Sequence, residues 1–193
     1  MEPQKALGGR IMDYVKLLSE LDINPTLHKS RLLILLYVFA GDKNTESIEG
    51  ITKLAKLDFL LRYPVMLKRA LDAKGVSSKG VMIQENEINS VESEMVRYRF
   101  GPWDHNYRFY LNLLVGEGLV KITAEGRTVV ITLTNQGFSL AETLCDEPLF
   151  EIYKIRSEIL KRHFNLTSTN LMKFIYETFP EIISLNSGKR ITL

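Results

Sequence analysis

Apolar residues recur at helical spacing over most of this chain and alternate with polar ones in only a few short stretches. Helical spacing runs first over residues 11–21, and Asn24-Pro25 breaks it, because a residue before proline is pushed out of the helical region. A second helix is expected over residues 26–40. It contains LLILLYVFA, Leu32 to Ala40, which is apolar on every side and therefore reads as fully buried. Residues 48–63 form a third expected helix, with Ile51, Leu54, Leu57 and Leu61 inward. Pro64 interrupts it and can open a fourth, over residues 64–74. Helices are also expected over residues 136–144, 150–163 and 169–179, the last capped by Thr167 or Thr169. Short strands are expected over residues 81–84 and 94–100, around an acidic connection. SGKRITL closes the chain as a tail or short strand.

The stretch RFGPWDHNYRFYLNLLVGEGLV, Arg99 to Val120, is the most informative. A glycine-proline turn leads to Asp104, a good N-cap. Tyr107, Tyr110, Leu111, Leu114 and Val115 then share one helical face, and Gly116 or Gly118 can end the helix with positive φ. Alternation over residues 119–123 and 128–133, joined through Gly126, predicts a hairpin. Helix, hairpin and following helix make the back half of a winged helix-turn-helix. The expected fold is therefore mainly α with a small β-wing. A long insertion separates the winged helix's second helix, ending near Tyr63, from its third, beginning at Asp104, and a helical extension follows. The expected divisions are an N-terminal helix over 1–25, the winged-helix domain over 26–145 with its insertion at about 63–100, and the extension over 146–193. A connection of that length displaces the compact pair that docks in a major groove.

Charge sharpens this picture. The net charge is +2, but residues 51–80 carry seven Lys/Arg against two Asp. Lys53, Lys56, Arg62, Lys68, Arg69, Lys74 and Lys79 thus offer a candidate phosphate-tracking surface, whose plainer reading is a solvated helix face. The expected recognition helix is nearly neutral. Its outward side would hold His105, Arg108, Phe109, Asn112 and Leu113, with Lys121 and Arg127 on the wing. Arg108 and Asn112 have the chemistry to read guanine and adenine. Adjacent outward Phe109 and Leu113 suit a protein partner better. Asp58, inside KLDFLL, needs a buried partner, and Arg62, Arg97 and Arg99 are the candidates for a structural ion pair.

Chemistry-bearing motifs are otherwise lacking. There is one cysteine, Cys145, and the three histidines have no ligand spacing, so neither a disulfide nor a metal site is expected. No phosphate-binding glycine loop, nucleophile elbow or paired carboxylates are present, so neither a cofactor nor catalysis is expected. The start lacks the apolar core of a signal peptide, and the nine-residue run at Leu32 is far short of a membrane span. A cytoplasmic protein is the expectation.

Two resemblances bear on function. YLNLLVGEGLVKITAEGRTVVITLTNQGFSLAETL resembles the third helix, wing and following helix of MarR-like proteins. The segments IEGITKLAKLDFLLRYPVMLKRAL, MVRYRFGPWDHNYRFYLNLLVGEGLV and NLTSTNLMKFIYETFPEI are together similar to the middle component of bacterial ABC-three-component systems, the group that includes Lamassu-type defence. KLDFLLRYP and RYRFGPWD carry most of that likeness. It implies a non-enzymatic adaptor subunit between an SMC-like ATPase and an effector such as a nuclease, and the basic residues of 51–80 are the candidates for touching DNA in that assembly. The MarR-like likeness implies the alternative, a dimeric DNA-binding transcriptional regulator. Its dimer interface would come from residues 11–21 and 150–179.

Overall fold

The computed structural model describes residues 25–84, 87, 95–98, 101–104 and 106–184. The expected helix at 11–21, the acidic connection apart from Glu87, and the SGKRITL tail lie outside them.

The fold is mainly helical with a small three-stranded antiparallel sheet. Helix α1 (Pro25–Ala40) runs through the centre, and Leu32 to Leu36 are all buried. That follows from its sequence, since a helix apolar on every side has no face to give to water. Strand β1 (Ile48–Glu49) comes next, then α2 (Ile51–Arg62) and α3 (Pro64–Ala73), the latter opened by its proline. Ile48 and Glu49 are not the start of the third helix. They pair antiparallel with Ile131 and Val130, and Gly50, at φ 95°, turns the chain into α2.

Residues expected to alternate at 81–84 make no strand; a 3-10 turn, Lys79–Val81, stands there instead. Arg156, fully buried, holds this loop by donating to the carbonyls of Val81 and Met82 and to both Glu87 carboxylate oxygens. A two-stranded hairpin follows, β2 (Val96–Tyr98) with β3 (Gly101–Trp103). The glycine-proline step is thus the start of a strand rather than a free turn. Helix α4 (Tyr107–Gly116) begins three residues after Asp104, with Asn106 in the capping position. Asp104 still serves this end, since its Oδ1 accepts the Asn106 N–H at 2.8 Å. At the other end Gly118 takes φ 70°. The N–H groups of Gly118 and Leu119 close back on Val115 and Leu114 in a Schellman turn.

Strands β4 (Val120–Glu125) and β5 (Thr128–Leu133) form the hairpin, Val120 opposite Leu133, around Gly126 and Arg127. The sheet order is β1-β5-β4. Helix α5 (Asn135–Asp146) starts at once, with Thr134 accepting the Gly137 N–H. Helices α6 (Glu151–Phe164), α7 (Ser168–Thr178, capped by Thr167) and α8 (Pro180–Ser184) complete the described chain. Leu160, Phe164, Leu171, Ile175, Phe179 and Ile182 join the same core as α1 and α2. No helix among the described residues is long and apolar enough to cross a membrane.

Candidate interaction surface

Helix α4 buries Tyr107, Tyr110, Leu111 and Leu114. The repeat of 3.6 residues then sends Arg108, Phe109 and Asn112 outward, all exposed, with Leu113 half-buried at their edge. Phe109 is 51% exposed. Val115 does not share the inner face; it is 42% exposed and lies in line with Arg108 and Asn112. Gly116 finishes the stripe, and an added Cβ there would meet nothing within 4 Å. The outward side is thus an aromatic ring, two aliphatic side chains and a bare backbone step, with one cation, Arg108. His105 lies outside the described residues. Glu117 is neutralised by Lys29 from the start of α1. On the adjoining hairpin Lys121, Arg127 and Glu125 are exposed beside Ile122.

A buried ionic cluster holds this helix in place. Asp58 is fully buried on α2. Its Oδ1 accepts from Arg31 Nε at 2.7 Å, and its Oδ2 lies 2.8 Å from Arg62 Nε. Tyr107, the first residue of α4, donates its hydroxyl to Asp58 Oδ2 at 2.6 Å. Arg62 then donates Nη2 to Asp104 Oδ2 at 2.8 Å. Two guanidiniums and two carboxylates alternate, so the buried charges compensate one another. Burial by itself would raise the Asp58 carboxyl. The charges of Arg31 and Arg62, with the hydrogen bonds from Arg31 and Tyr107, outweigh it and hold the group at about 2. The cluster ties the end of α2 to the start of α4 across the residues between them.

Sequence reasoning missed three members: Asp104, expected only as an N-cap, Tyr107, expected only as core, and Arg31. A lone arginine at the start of the all-apolar run was the available signal, since a buried guanidinium demands a carboxylate. Arg99 and the side chain of Arg97 lie outside the described residues.

The candidate basic surface is not one surface. Arg62 belongs to the buried cluster. Lys53 and Lys56 are not on a solvated face, because α7 packs over that side of α2. They are 8% and 1% exposed. Lys68 and Arg69 remain exposed, and Arg69 pairs with Glu181 at 2.6 Å. Lys74 turns back to the His163 carbonyl at 2.7 Å. What is left for a phosphate backbone is scattered.

Elsewhere the surface offers little chemistry. Two open depressions of about 430 and 450 Å³ flank α6 and share Lys154 and Glu158, cations facing carboxylates. Cys145 lines one of them, and burial pushes its thiol up to about 11, away from the reactive thiolate. Among the described residues no three His, Cys, Asp or Glu side chains gather as metal ligands would. Compared with known proteins, the chain matches no family model, no curated protein and no solved structure.

Proposed function

We propose that the protein is a winged-helix adaptor subunit, non-enzymatic, that docks partner proteins through the outward side of α4. The element order supports the winged-helix reading. Helix α1, strand β1, helix α2, helix α4 and the hairpin follow one another around a sheet ordered β1-β5-β4. The inserted residues leave between α2 and α4, and the Asp58 cluster does the work of the short turn they replace.

One observation carries the docking reading: the helix that would read a major groove presents Phe109, Leu113 and Val115 outward, while Lys53, Lys56 and Arg62 are turned inside. An exposed aromatic beside aliphatic neighbours is the composition of a protein interface core. Phosphate contacts supply much of the affinity of DNA binders, and here few cations are left to make them. The likeness of KLDFLLRYP and RYRFGPWD to the middle component of ABC-three-component systems supplies the partners. These are an SMC-like ATPase and an effector in an anti-phage or anti-plasmid complex in the cytoplasm.

The regulator reading keeps one specific support. Arg108 and Asn112 are exposed side by side on α4, with Lys121 and Arg127 on the wing. Native mass spectrometry of the tagged protein, recovered from its own cells, separates the two. A large ATPase at fixed stoichiometry is the expected result. A homodimer without partners that selects an operator from random DNA overturns the adaptor reading.

A further inference from the structure

The sheet order β1-β5-β4 leaves one side of β4 without a neighbouring strand. The other side of the sheet tells which main-chain groups point there. The Gly50 N–H donates to the Val129 carbonyl at 2.7 Å, so Val129 turns its main chain toward β1 and away from β4. Ala124, opposite Val129, therefore turns its own main chain away from β5, and the alternation of antiparallel pairs sends Ile122 and Val120 the same way. The Thr134 N–H, donating to the Leu119 carbonyl, fixes the inward set as Leu119, Lys121, Thr123 and Glu125. Among the described residues nothing pairs with the outward N–H and carbonyl groups of Ile122 and Ala124. Nor is this edge guarded by a proline or a bulge, since its register with β5 is unbroken from Val120 to Glu125.

The strand is also complementary to itself. Lys121 and Glu125 are exposed, and among the described residues neither has an ion-pair partner. Laid antiparallel on a second copy about a two-fold axis at Thr123, each Lys121 stands opposite Glu125 of the other copy. Ile122 then meets Ala124, and Thr123 meets Thr123. The main chain fits this register. Ile122 and Ala124, whose free groups point outward, become the hydrogen-bonded pair. The Lys–Glu and Thr–Thr pairs fall at the non-hydrogen-bonded positions, where side chains come closest. The neighbouring registers that keep the hydrogen bonds put Lys121 or Glu125 opposite Thr123 and lose the charge pairs. Ile122, 36% exposed, and Ala124 lie on the sheet face that carries Val129 and Ile131, so pairing also covers apolar surface.

We infer that β4 is a docking edge for a second copy of this chain, the two strands pairing antiparallel about Thr123 so that the two three-stranded sheets become one. Main-chain hydrogen bonds hold the strands together, as in other strand additions, and the Lys121–Glu125 pairs set the register. The contact does not depend on the adaptor reading, because it is made by β4 and not by the outward side of α4.

The test is sedimentation equilibrium of the full chain up to about 0.3 mM, since one short strand per copy makes a small interface of the weak class. A monomer–dimer equilibrium is the expected result. Lys121→Glu sets like charges opposite each other at both ends of the pairing and should weaken the dimer at least about tenfold. Adding Glu125→Lys to that variant exchanges the two charges within the strand and should restore the dimer to within about threefold of wild type. Ala124→Pro removes an outward N–H without touching the β4–β5 ladder and should abolish the dimer. All three positions are exposed, and an unchanged Tm shows that each variant is folded. If the proline variant does not fold, the charge exchange reads the same register with the main chain intact. A wild type that stays monomeric, a dimer that survives Ala124→Pro, or a charge exchange that fails to restore pairing overturns the proposal. Phe109→Glu should dimerise like wild type, so failure of this pairing and failure of the adaptor reading are told apart.

Discussion

Asp58 has a guanidinium on each side and a phenol hydroxyl against one oxygen, so its charge is what keeps two arginines tolerable inside the core. Asp58→Asn keeps the shape and removes that charge. Breaking one partner of a buried ion cluster leaves the others uncompensated, so the variant should lose about 3–5 kcal/mol of stability, read from urea unfolding. The same group sets an acid limit. Its folded value of about 2 lies below the ordinary value near 3.9 of an unfolded aspartate. The stability it contributes is therefore present above about pH 4 and lost as pH falls through about 2. Urea midpoints of wild type and Asp58→Asn should converge across that interval, and a constant gap would show that another group sets it.

Lys56 has the opposite sign. Its folded value of about 8 lies below that of an unfolded lysine, near 10.4, so at neutral pH keeping it protonated inside costs stability. At pH 7, Lys56→Met should be more stable than wild type by roughly 1–3 kcal/mol. The advantage should shrink as pH rises from about 8 towards 10, because the unfolded chain binds the extra proton there. A variant less stable than wild type at pH 7 would mean that the Ser168 contact outweighs desolvation.

At the level of elements, the hairpin and α5 are joined at one place. Thr134 Oγ1 accepts the Gly137 N–H and donates to the Gly118 carbonyl at 2.7 Å. A Cβ on Gly137 would sit 1.9 Å from the Leu119 carbonyl oxygen, a backbone atom that cannot swing aside. Gly137→Ala should therefore cost more than about 3 kcal/mol, although alanine is the better helix former at an open site. Thr134→Val, which removes only the cap and the bridge, should cost about 1 kcal/mol. Thermal unfolding of the two variants checks both magnitudes, and equal effects would mean that α5 shifts to admit the methyl group.

The helices α1, α3, α5, α6 and α7 and the hairpin were legible because each is long enough for its spacing to repeat and carries a boundary signal, as with Pro64 opening α3 and Thr167 opening α7. Strand β1 was not, since two residues show no alternation and Ile48 fits a helical inner face equally well. The placement of Lys53 and Lys56 was not legible either. A helical repeat tells which side of α2 faces its leucines, but not that α7, more than a hundred residues later, covers the other side. Partner choice within the Asp58 cluster is a long-range fact of the same kind.

For the whole molecule, core packing and the proposed docking role fall on different sides of the same helix. Tyr107, Tyr110, Leu111 and Leu114 fix α4 to the core and to Asp58, while Phe109 touches only its neighbour Tyr110 among the aromatic contacts of the described residues. A charge at position 109 therefore stays in water when the protein is alone and is desolvated when a partner covers the helix. Phe109→Glu should shift unfolding by no more than about 0.5 kcal/mol, as for other exposed positions. In the assembled complex it should weaken partner binding by about 2 kcal/mol or more, since central aromatic residues are where interface energy concentrates. Lys121→Glu with Arg127→Glu is the matching change for the DNA reading. It should leave partner binding intact and reduce the salt-dependent contact with DNA. Co-purification of the tagged variants with their partners, alongside DNA binding at several salt concentrations, measures both. If Phe109→Glu leaves the partners bound while the wing variant loses operator binding, α4 is a DNA-reading helix and the adaptor reading falls.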